Sequence, residues 1–512
     1  MPSAAIPLVA LPRPKHVAPV ALRDLAAACG GTVVGADVAV SGVTASSSQV
    51  RPGDLFAGVP GHLAHGARFS DAAATAGALA VLTDAAGRAS IPAGLPVVLV
   101  DGVRAALGPV AAQVYGWPSH DLPVLGVTGT SGKTTTTFLV RAGLHAAGRA
   151  SGLIGTIATL IGDEVVKTGF TTPEAPDIQA LLAVMREAGA TAVAAEVSSH
   201  ALTMGRADGI EFAVAAFTNL SQDHLDFHAD MAEYFAAKAR LFDGRARRAV
   251  VTTDDEWGLR MASIAGRDAV TVSTTGDRSA TWQAHDIAVT PGGGTTFRVL
   301  GPETDIETGC SLPGRYNVAN AVLALAILAE AAEAAVAPDI AAPAIAVASV
   351  PGRMERIDAG QPYLAVVDYS HKPAAVDGAL RTLRPLTRGR LIIVLGCGGD
   401  RDRGKRALMG EIAARGADLL IVTDDNPRSE DPAVIRRAMI DGARGVSAAD
   451  RGELLEVADR AEAIAAAVGR AEAGDTILVA GKGHEPGQEV GGVTHPFDDR
   501  DVLREALRRG SP

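Results

Sequence analysis

A glycine-rich segment near residue 130 constrains this 512-residue chain more than any other feature. It reads Gly126-Val127-Thr128-Gly129-Thr130-Ser131-Gly132-Lys133-Thr134-Thr135. The apolar run Leu122–Val127 predicts a buried strand before it, and apolar residues at helical spacing predict a helix from Thr135 to Ala147 after it. A strand, a glycine-rich turn and a helix form the setting of a phosphate-binding loop, where backbone N–H groups and the helix N-terminus bind phosphate oxygens. The segment therefore predicts ATP binding by Gly129, Thr130, Ser131, Gly132, Lys133, Thr134 and Thr135, with Mg²⁺ on the Thr134 hydroxyl.

The loop departs from the general pattern G-x-x-x-x-G-K-[ST] at its start. That pattern requires glycine at position 127, where this chain has valine, and the nearest glycine is Gly129. The alternative interpretation is a glycine-rich turn that binds nothing. The predicted strand and helix on either side favour the phosphate-binding interpretation.

Length and composition predict several α/β domains. At roughly 150 residues per domain, the chain contains about three. Hydrophobic residues make up 47% and charged residues 21%, so buried cores can form. The net charge of −11 argues against a surface for nucleic acid or anionic membrane. The scattered Cys29, Cys310 and Cys397 indicate neither a disulfide framework nor a zinc site, and are typical of a reducing cytosol.

The N-terminus predicts no secretion signal, because prolines at positions 2, 7, 12, 14 and 19 interrupt any apolar core. We interpret residues 1–20 as a flexible arm. The most apolar helix, Ala321–Ala329, is shorter than the roughly 20 residues that span a bilayer. We therefore expect a cytoplasmic protein without a membrane span, without a nucleic-acid partner, and monomeric.

Three domains follow the arm: residues 21–120, 121–348 and 349–512, with the Ala/Pro-rich stretch 334–348 as the second boundary. In the central one, apolar strands alternate with helical patterns, which predicts an α/β fold with a mostly parallel sheet. The strands are Leu122–Val127, Ala192–Val197, Ala213–Thr218 and Ala249–Thr253. The last domain shows the same alternation, with predicted strands Leu364–Val367, Leu391–Leu395, Leu419–Val422 and Thr476–Ala480. Ligands of such sheets collect at the carboxyl ends of the strands.

Polar clusters of the central domain fall at those strand ends. Glu196 ends an apolar strand, and a carboxylate there needs a cation, which Mg²⁺ beside the phosphate loop would supply. The alternative is a salt-bridged glutamate. His224 follows the next strand. Thr171-Thr172-Pro173-Glu174 also predicts a helix start, with Thr172 as N-cap and Pro173 in the first position.

Lys238 lies on the apolar face of a predicted helix, Met231–Phe242, together with Tyr234, Phe235, Leu241 and Phe242. A lysine on such a face must extend its amine to water or change its charge state. Desolvation favours the neutral amine, which can add CO₂ to become a carbamate. The residues alone favour extension to water.

The loops after the strands of the last domain carry charges and glycines. Arg401 and Arg428 suit bidentate binding of carboxylates, while Asp425 and Glu485 suit ammonium groups. Loops of this kind at one sheet edge predict a site for a ligand with both amine and carboxylate groups.

These motifs resemble those of the Mur ligase family, whose phosphate loop has the same shortened form. The resemblance covers about residues 40 to 505 and includes Val50–Phe56, Gly61–Gly66, Thr171–Glu174, Glu196–His200, Asn219–Asp226, Tyr234–Lys238, Gly314–Asn320, Gly352–Arg356, Asp368–Pro373 and Asp425–Arg428. Two departures stand out. Ser46 and Ser48 flank Ser47 where many relatives have Asp and Arg, and Lys372 stands where threonine is common.

The resemblance implies roles for individual residues. It implies that Ser47 and His62 hold the uridine diphosphate and that Thr171, Thr172, Ser198 and Arg206 line the sugar-peptide site. It implies that Glu196, His224 and Lys238, as its carbamate, are Mg²⁺ ligands together with Thr134. It implies that Asn317, Arg353 and Asp368 contact ATP, with Lys133, Lys238, His224 and Arg353 as the catalytic set. The amino-acid site would comprise Arg401, Asp425, Asn426, Pro427, Arg428, Gly481 and Glu485.

The D-N-P-R motif, Asp425 to Arg428, is similar to that of relatives that add meso-diaminopimelate. The implied activity is ATP- and Mg²⁺-dependent ligation of this amino acid to UDP-N-acetylmuramoyl-L-alanyl-D-glutamate through an acyl phosphate. The implied fold has an N-terminal α/β UDP-binding domain, a central parallel-sheet ATPase-like domain and a C-terminal Rossmann-like α/β domain. The alternatives are a lysine-adding relative, a folylpolyglutamate synthase-like ligase, and a non-catalytic ATP-binding regulator.

Overall fold

The structure, a computed structural model, describes residues 11–61, 64–223, 227–290 and 293–510. Two compact units divide the chain. Unit one contains the residues up to 284 together with 300–305 and 319–345, and unit two contains 285–299, 306–318 and the residues from 346 onward.

The first part of unit one is a five-stranded sheet with helices. Its order is β2-β7-β6-β5-β4, parallel except for β2. Leucine and valine from the strands and from α1 and α3 form its core. The elements are β1 (Val20–Ala21), α1 (Leu22–Cys29), β2 (Thr32–Val34), β3 (Ala39–Val40), β4 (Gly42–Thr44), β5 (Asp54–Ala57), α2 (Ser70–Thr75), β6 (Ala80–Thr83), β7 (Val97–Leu99) and α3 (Val103–Val114).

A larger sheet and its helices follow in residues 118–347, of which 285–299 and 306–318 belong to unit two. Its elements are α4 (Pro118–Asp121), β8 (Val124–Thr128), α5 (Lys133–Ala146), β9 (Ser151–Ile154), β10 (Thr159–Ile161), β11 (Glu164–Val166), α6 (Ala175–Glu187), β12 (Ala192–Glu196), α7 (Ser199–Thr203), β13 (Phe212–Phe217), α8 (Met231–Ala239), β14 (Ala246–Thr252), α9 (Glu256–Ala265), β15 (Val270–Ser273), β16 (Trp282–Val289), β17 (Thr295–Gly301), β18 (Thr304–Cys310), α10 (Arg315–Ala329) and α11 (Pro338–Val347).

The four strands predicted for the central domain are neighbours in this sheet, in the order β12-β8-β13-β14, and all are parallel. β8 lies between β12 and β13, so the segments that follow these two strands flank the glycine-rich loop after β8. β8, β12 and β13 are buried along their length, because both faces of a parallel sheet are covered. The predicted boundary stretch 334–348 is largely helical, since α11 occupies most of it.

Unit two contains a six-stranded sheet in the order β19-β20-β24-β21-β22-β23, parallel except for β19. The four predicted strands are β20, β21, β22 and β24. The elements are β19 (Glu355–Arg356), β20 (Leu364–Asp368), α12 (Pro373–Leu383), β21 (Leu391–Leu395), α13 (Lys405–Gly416), β22 (Leu419–Val422), α14 (Pro432–Arg444), β23 (Glu453–Glu456), α15 (Arg460–Val468), β24 (Thr476–Ala480), β25 (Gly487–Val490), β26 (Val493–Pro496) and α16 (Asp499–Gly510).

Within the described ranges, no helix is both long enough and apolar enough to cross a bilayer.

Candidate active site

The glycine-rich loop of unit one joins β8 to the N-terminus of α5, which begins at Lys133. The Lys133 Nζ donates to the carbonyl oxygens of Gly129 and Thr130, at 2.9 Å each. Gly129 has φ of 149°, and a Cβ there would lie 1.8 Å from the Thr218 Oγ1. Only glycine fits that position, because any side chain would push the loop off the adjacent strand end.

The segment after β13 holds this loop in place. The Thr130 N–H donates to the Asn219 carbonyl at 2.9 Å, and the Ser131 N–H donates to the Asn219 Oδ1 at 3.1 Å. The Thr218 hydroxyl donates to the Ser131 carbonyl at 2.6 Å. On the other side, a Cβ at Gly132 would lie 2.4 Å from the Asn320 Oδ1. Thr218, Asn219 and Asn320 thus shape the loop, although the sequence predictions gave none of them a role there.

Glu196 is buried at the end of β12, beside the first turn of α5. Its Oε1 accepts from the Thr134 hydroxyl at 2.9 Å and from the Thr156 N–H at 2.8 Å. The Thr156 hydroxyl donates to Oε2 at 3.1 Å. A carboxylate and a hydroxyl side by side are hard oxygen donors of the kind that Mg²⁺ prefers, so Thr134 and Glu196 fit this ion.

His224 lies outside the described residues, so its part in a metal site stays a prediction. Among the described residues, no group of three or more His, Cys, Asp or Glu side chains converges as a metal site would require. The two donors that the structure brings together are therefore a threonine and a single glutamate.

Lys238 on α8 is 1% exposed, so its amine does not extend to water. The Nζ donates to the Gly129 carbonyl at 2.8 Å and lies 4.4 Å from the centre of the Tyr234 ring. Burial, and then the positive charge of Lys133, lower the pKa of Lys238 well below its usual value, although Asp223 acts in the opposite direction. The side chain thus reaches the phosphate loop in an environment that favours the neutral amine.

Four residues predicted for the sugar-peptide site lie together near Glu196. The Thr172 hydroxyl donates to the Glu196 carbonyl at 2.8 Å and accepts from the Ser198 N–H at 3.2 Å. The Thr171 and Thr156 hydroxyls are 3.0 Å apart. Arg206 donates to the Thr172 carbonyl at 3.3 Å.

Arg206 is also fixed by two further contacts. Its Nη2 lies 2.9 Å from the Glu174 Oε1, and its guanidinium lies 4.3 Å from the centre of the Phe170 ring. The predicted helix start at Thr172 was wrong, because α6 begins at Ala175 with Glu174 at the N-cap. The Thr172 hydroxyl binds the strand end at Glu196 instead of capping a helix.

Of the two residues predicted to hold uridine diphosphate, Ser47 begins a short 3₁₀ turn, Ser47–Gln49, and is partly exposed. The hydroxyls of Ser46 and Ser48 are 2.9 Å apart within this turn. His62 lies outside the described residues.

In unit two, Arg353 and Asp368, two of the residues predicted to contact ATP, lie near the ends of β19 and β20. Asp368 ends β20, and its carboxylate accepts from the N–H groups of Met354 at 2.7 Å and Ser370 at 2.9 Å. The Arg353 guanidinium lies 4.8 Å from the centre of the Tyr369 ring. The Asn317 amide donates to the Pro313 carbonyl at 2.7 Å.

The D-N-P-R loop follows β22 and encloses a lysine that the sequence predictions left without a role. Lys482 is fully buried, and its Nζ lies 2.9 Å from the Asn426 Oδ1, 3.3 Å from the Glu485 Oε2 and 3.7 Å from the Asp425 Oδ1. The Asn426 Nδ2 donates to the same Glu485 oxygen at 2.8 Å. A Cβ at Gly481 would lie 2.8 Å from the Asp425 carboxylate, so glycine leaves room for this cluster. We call Asp425, Asn426, Lys482 and Glu485 the lysine cluster.

Arg428 closes the same loop in a left-handed conformation, with φ of 53°. Its Nη1 donates to the Gly399 carbonyl at 2.7 Å, and its Nε lies 3.3 Å from the Glu489 carboxylate. Among the described residues, its Nη2 has no hydrogen-bond partner. Pro427 packs against the loop after β21, where a Cβ at Gly399 would lie 2.0 Å from the Pro427 carbonyl. Arg401 is exposed on that loop and forms no hydrogen bond or ion pair with a described residue.

Comparison with known proteins places this geometry in a family. Residues 39–115 match the catalytic domain of the Mur ligase family, residues 127–328 the Mur ligase middle domain, and residues 352–483 the Mur ligase glutamate ligase domain. A UDP-N-acetylmuramoyl-L-alanyl-D-glutamate–2,6-diaminopimelate ligase from Streptomyces avermitilis is 53% identical over 502 residues, which cover 97% of this chain and 98% of that one. The chain belongs to the Mur ligase family.

A Streptomyces coelicolor ligase of the same name is 52% identical, over 97% of this chain and 98% of its own length. A solved structure of a ligase with this name is 30% identical, with a TM-score of 0.68 over 96% of this chain and 99% of that one. The Mur ligase resemblance and the predicted class of α/β fold with several parallel-sheet domains are confirmed.

The Mur ligase motifs explain why some site residues were found from the sequence and others were missed. Lys482 stands between two glycines in the segment Gly481–Glu485. This pattern marked the loop as a candidate binding loop, but it could not show which residues surround the lysine. Thr156 belongs to no motif that the sequence analysis singled out, and its contact with Glu196 arises from the sheet order β9-β12-β8.

Proposed function

We propose that this Mur ligase joins meso-diaminopimelate to UDP-N-acetylmuramoyl-L-alanyl-D-glutamate in an ATP-dependent reaction. The observation that carries the proposal is the D-N-P-R loop, in which Arg428 follows two residues after Asn426 of the lysine cluster and its guanidinium contacts Gly399 and Glu489. The relatives at 52–53% identity carry the name of this ligase, which supports the same assignment.

The reaction needs an activated carboxylate, because a carboxylate at neutral pH is a poor electrophile. Its oxygen attacks the terminal phosphorus of ATP, ADP leaves, and an acyl phosphate forms. The amine of the incoming amino acid then attacks the acyl carbon, and phosphate leaves with the amide formed. Phosphoryl transfer of this kind depends on positioning and charge neutralisation more than on a protein nucleophile.

In unit one, Gly129 to Thr135 would bind the ATP phosphates, with Lys133 turning from the Gly129 and Thr130 carbonyls toward the β- and γ-phosphates. Thr134 and Glu196 would hold Mg²⁺, which neutralises phosphate charge when bound. Thr171, Thr172, Ser198 and Arg206 would bind the sugar-peptide, since they lie together beside Glu196. Ser47 and His62 would hold the uridine diphosphate.

We further propose that Lys238 carries CO₂ as a carbamate. Its neutral amine would attack CO₂, form the N–C bond and release one proton, which leaves a carboxylate beside the phosphate loop. The burial of the amine and the charge of Lys133 support this, because both favour the neutral form. With His224, the carbamate would supply further oxygen and nitrogen ligands for a second Mg²⁺.

In unit two, Asn317, Arg353 and Asp368 would contact ATP. Arg428 and Arg401 would bind the carboxylates of the amino acid, while Asp425, Asn426, Pro427, Gly481 and Glu485 would surround its ammonium groups. Lysine lacks the second carboxylate of diaminopimelate, so Arg428 argues against a lysine-adding enzyme.

We also propose the three domains 21–120, 121–348 and 349–512, since each family match falls within one of them. A monomer in the cytoplasm remains our expectation.

Phosphate release, measured with the UDP-dipeptide, ATP and Mg²⁺, tests the proposal when diaminopimelate, lysine and ornithine are supplied in turn. We expect turnover with diaminopimelate and a preference over lysine of at least about 100-fold. Turnover with lysine instead would favour the lysine-adding relative. ATP binding without phosphate release would favour a non-catalytic regulator, and turnover only with folate and glutamate would favour a folylpolyglutamate synthase-like ligase.

A further inference from the structure

The segment 11–16, which the sequence analysis assigned to a flexible arm, makes specific contacts with two parts of unit one. We call it the strap. Its side chains and backbone reach β5, the turn Ser47–Gln49 and the last residue of α6. These elements carry or adjoin the proposed uridine and sugar-peptide residues, so the strap joins two regions that would bind one long substrate.

The first anchor of the strap is a buried ion pair. The Arg13 Nη1 lies 2.5 Å from the Asp54 Oδ1, and these side chains are only 15% and 3% exposed. The second carboxylate oxygen of Asp54 accepts from the Arg51 N–H at 2.8 Å. A Cβ at Gly42 would lie 2.2 Å from the Asp54 Oδ1 and 2.8 Å from the Arg13 Nη1, so β4 leaves space for this pair.

The second anchor consists of two arginine–carbonyl hydrogen bonds, one in each direction, between the strap and the region of the turn Ser47–Gln49. The Arg13 Nη2 donates to the Gln49 carbonyl at 3.4 Å. In the other direction, the Arg51 Nη2 donates to the Leu11 carbonyl at 2.9 Å. The strap therefore contacts the last residue of this turn, Gln49, and Arg51, which lies two residues beyond it.

The third anchor connects the strap to α6. The Lys15 N–H donates to the Glu187 Oε2 at 2.9 Å, and the His16 N–H donates to the Glu187 Oε1 at 3.0 Å. Arg13 also lines, with Asp177 of α6 and Tyr115, a cavity of only about 10 Å³, so the strap packs closely between the two regions. α6 follows directly on Thr171–Glu174, where the sugar-peptide would bind.

We infer that Arg13 is a positioning residue for the UDP-linked substrate. It holds the Ser47 turn at a fixed distance from α6, so that both ends of the substrate meet their residues at once. The inference rests on the proposed function, because it takes the Ser47 turn as the uridine site. Arg13 itself does not touch the reacting groups.

Arg13→Ala tests this. The substitution removes the ion pair with Asp54 and the hydrogen bond to the Gln49 carbonyl, although the turn keeps its Arg51 contact. We expect the KM for the UDP-dipeptide to rise about 10-fold, while kcat and the KM values for ATP and diaminopimelate stay within about 2-fold. Arg13→Lys keeps a cation near Asp54 but lacks the second N–H group of the guanidinium. Its KM for the UDP-dipeptide should therefore lie between those of the wild type and Arg13→Ala.

Two matched controls share the region. Lys15→Ala removes an exposed side chain from the strap itself and keeps the backbone N–H that donates to Glu187, and Arg23→Ala removes an exposed arginine from α1. Both should leave every KM unchanged. If Arg13→Ala does not fold, Arg51→Ala replaces it, since Arg51 is exposed and, among the described residues, its side chain hydrogen-bonds only to the Leu11 carbonyl. For that variant we expect the KM for the UDP-dipeptide to rise about 3-fold.

Calorimetry with UDP, and hydrogen exchange over residues 44–56, give readouts independent of turnover. We expect Arg13→Ala to bind UDP about 10-fold more weakly and to exchange faster over the turn, with ADP binding unchanged. UDP binding equal to that of the wild type would overturn the inference, as would an equal loss of affinity for UDP and ADP. A wild-type protein that binds no UDP at all would instead overturn the proposed function.

Discussion

Two fully buried lysines mark the two candidate ligand regions, and their surroundings differ. Lys238, in unit one, donates to one backbone carbonyl and faces a tyrosine ring; among the described residues, no carboxylate lies within ion-pair distance of its Nζ. Lys482, in unit two, is surrounded by Asp425, Asn426 and Glu485. Both side chains are at most 1% exposed.

The difference shows that burial alone does not decide what a lysine does. A buried amine without a carboxylate partner loses its proton more readily, which makes it available for chemistry with CO₂. A buried lysine among carboxylates attracts and orients those carboxylates for a ligand. We therefore assign a chemical role to Lys238 and an orienting role to Lys482.

The largest effect should come from Lys238→Ala. If the carbamate is a metal ligand, its loss should reduce phosphate release by roughly 1,000-fold, similar to the loss of a strong electrostatic contact in a transition state. Acetate or formate, added at high concentration, should restore part of the rate by taking the carbamate's place. Full activity of Lys238→Ala in CO₂-depleted buffer would show that Lys238 has no chemical role.

Lys482→Met should have the next largest effect, and it should change the binding of diaminopimelate and the stability of the fold. Removing the side-chain amine leaves the Asp425 and Glu485 carboxylates without their lysine partner, which costs about 3 kcal/mol for a buried pair. We expect the KM for diaminopimelate to rise about 100-fold, together with a lower melting temperature and no rescue by carboxylic acids. Rescue by acetate would contradict the contrast between the two lysines.

Arg428→Ala tests whether Arg428 sets the preference for diaminopimelate over lysine. A bidentate contact with the second carboxylate of diaminopimelate is worth about 2 kcal/mol, so the preference over lysine should fall about 30-fold. Competition between the two amino acids in one assay measures this ratio. The neighbouring Arg403→Ala, on an exposed residue that pairs with Glu430, is the control and should leave the ratio unchanged.

The smallest effect concerns His484, which lies in the same loop as Lys482. Burial, and then the charges of Arg353 and Arg500, lower the pKa of His484 to about 4. Because the unfolded chain then binds more protons than the folded one, this histidine's contribution is complete above its unfolded pKa of about 6.5 and is lost as pH falls toward 4. The free energy of unfolding should therefore fall by roughly 1–3 kcal/mol more in the wild type than in His484→Gln between pH 7 and pH 4. Parallel pH curves from chemical denaturation would contradict this.

The sequence predicted the sheets well, because apolar strands that end in glycines and charges carry a strong local signal. β21, β22 and β24 have the predicted bounds. The start of α6 was missed by two residues, since the Thr172 hydroxyl has a tertiary partner in Glu196 that no local pattern reveals.

Contacts between distant segments were the part that could not be predicted. Arg13 and Asp54 are 41 residues apart, and Lys482 and Asn426 are 56 apart. The proline-rich sequence indicated a flexible arm at residues 1–20. That local pattern contains no information about the distant residues that Arg13 contacts. The proposed roles of individual site residues follow from motif positions, and the experiments above test them.

The Gly129 carbonyl accepts from two lysine side chains, those of Lys133 and Lys238, at 2.9 and 2.8 Å. Two donors that share one acceptor are energetically coupled, because removal of either leaves the oxygen to the other. A double-mutant cycle on folding should therefore show that the paired substitution costs more than the sum of its parts, since only the double variant leaves this oxygen without a lysine donor.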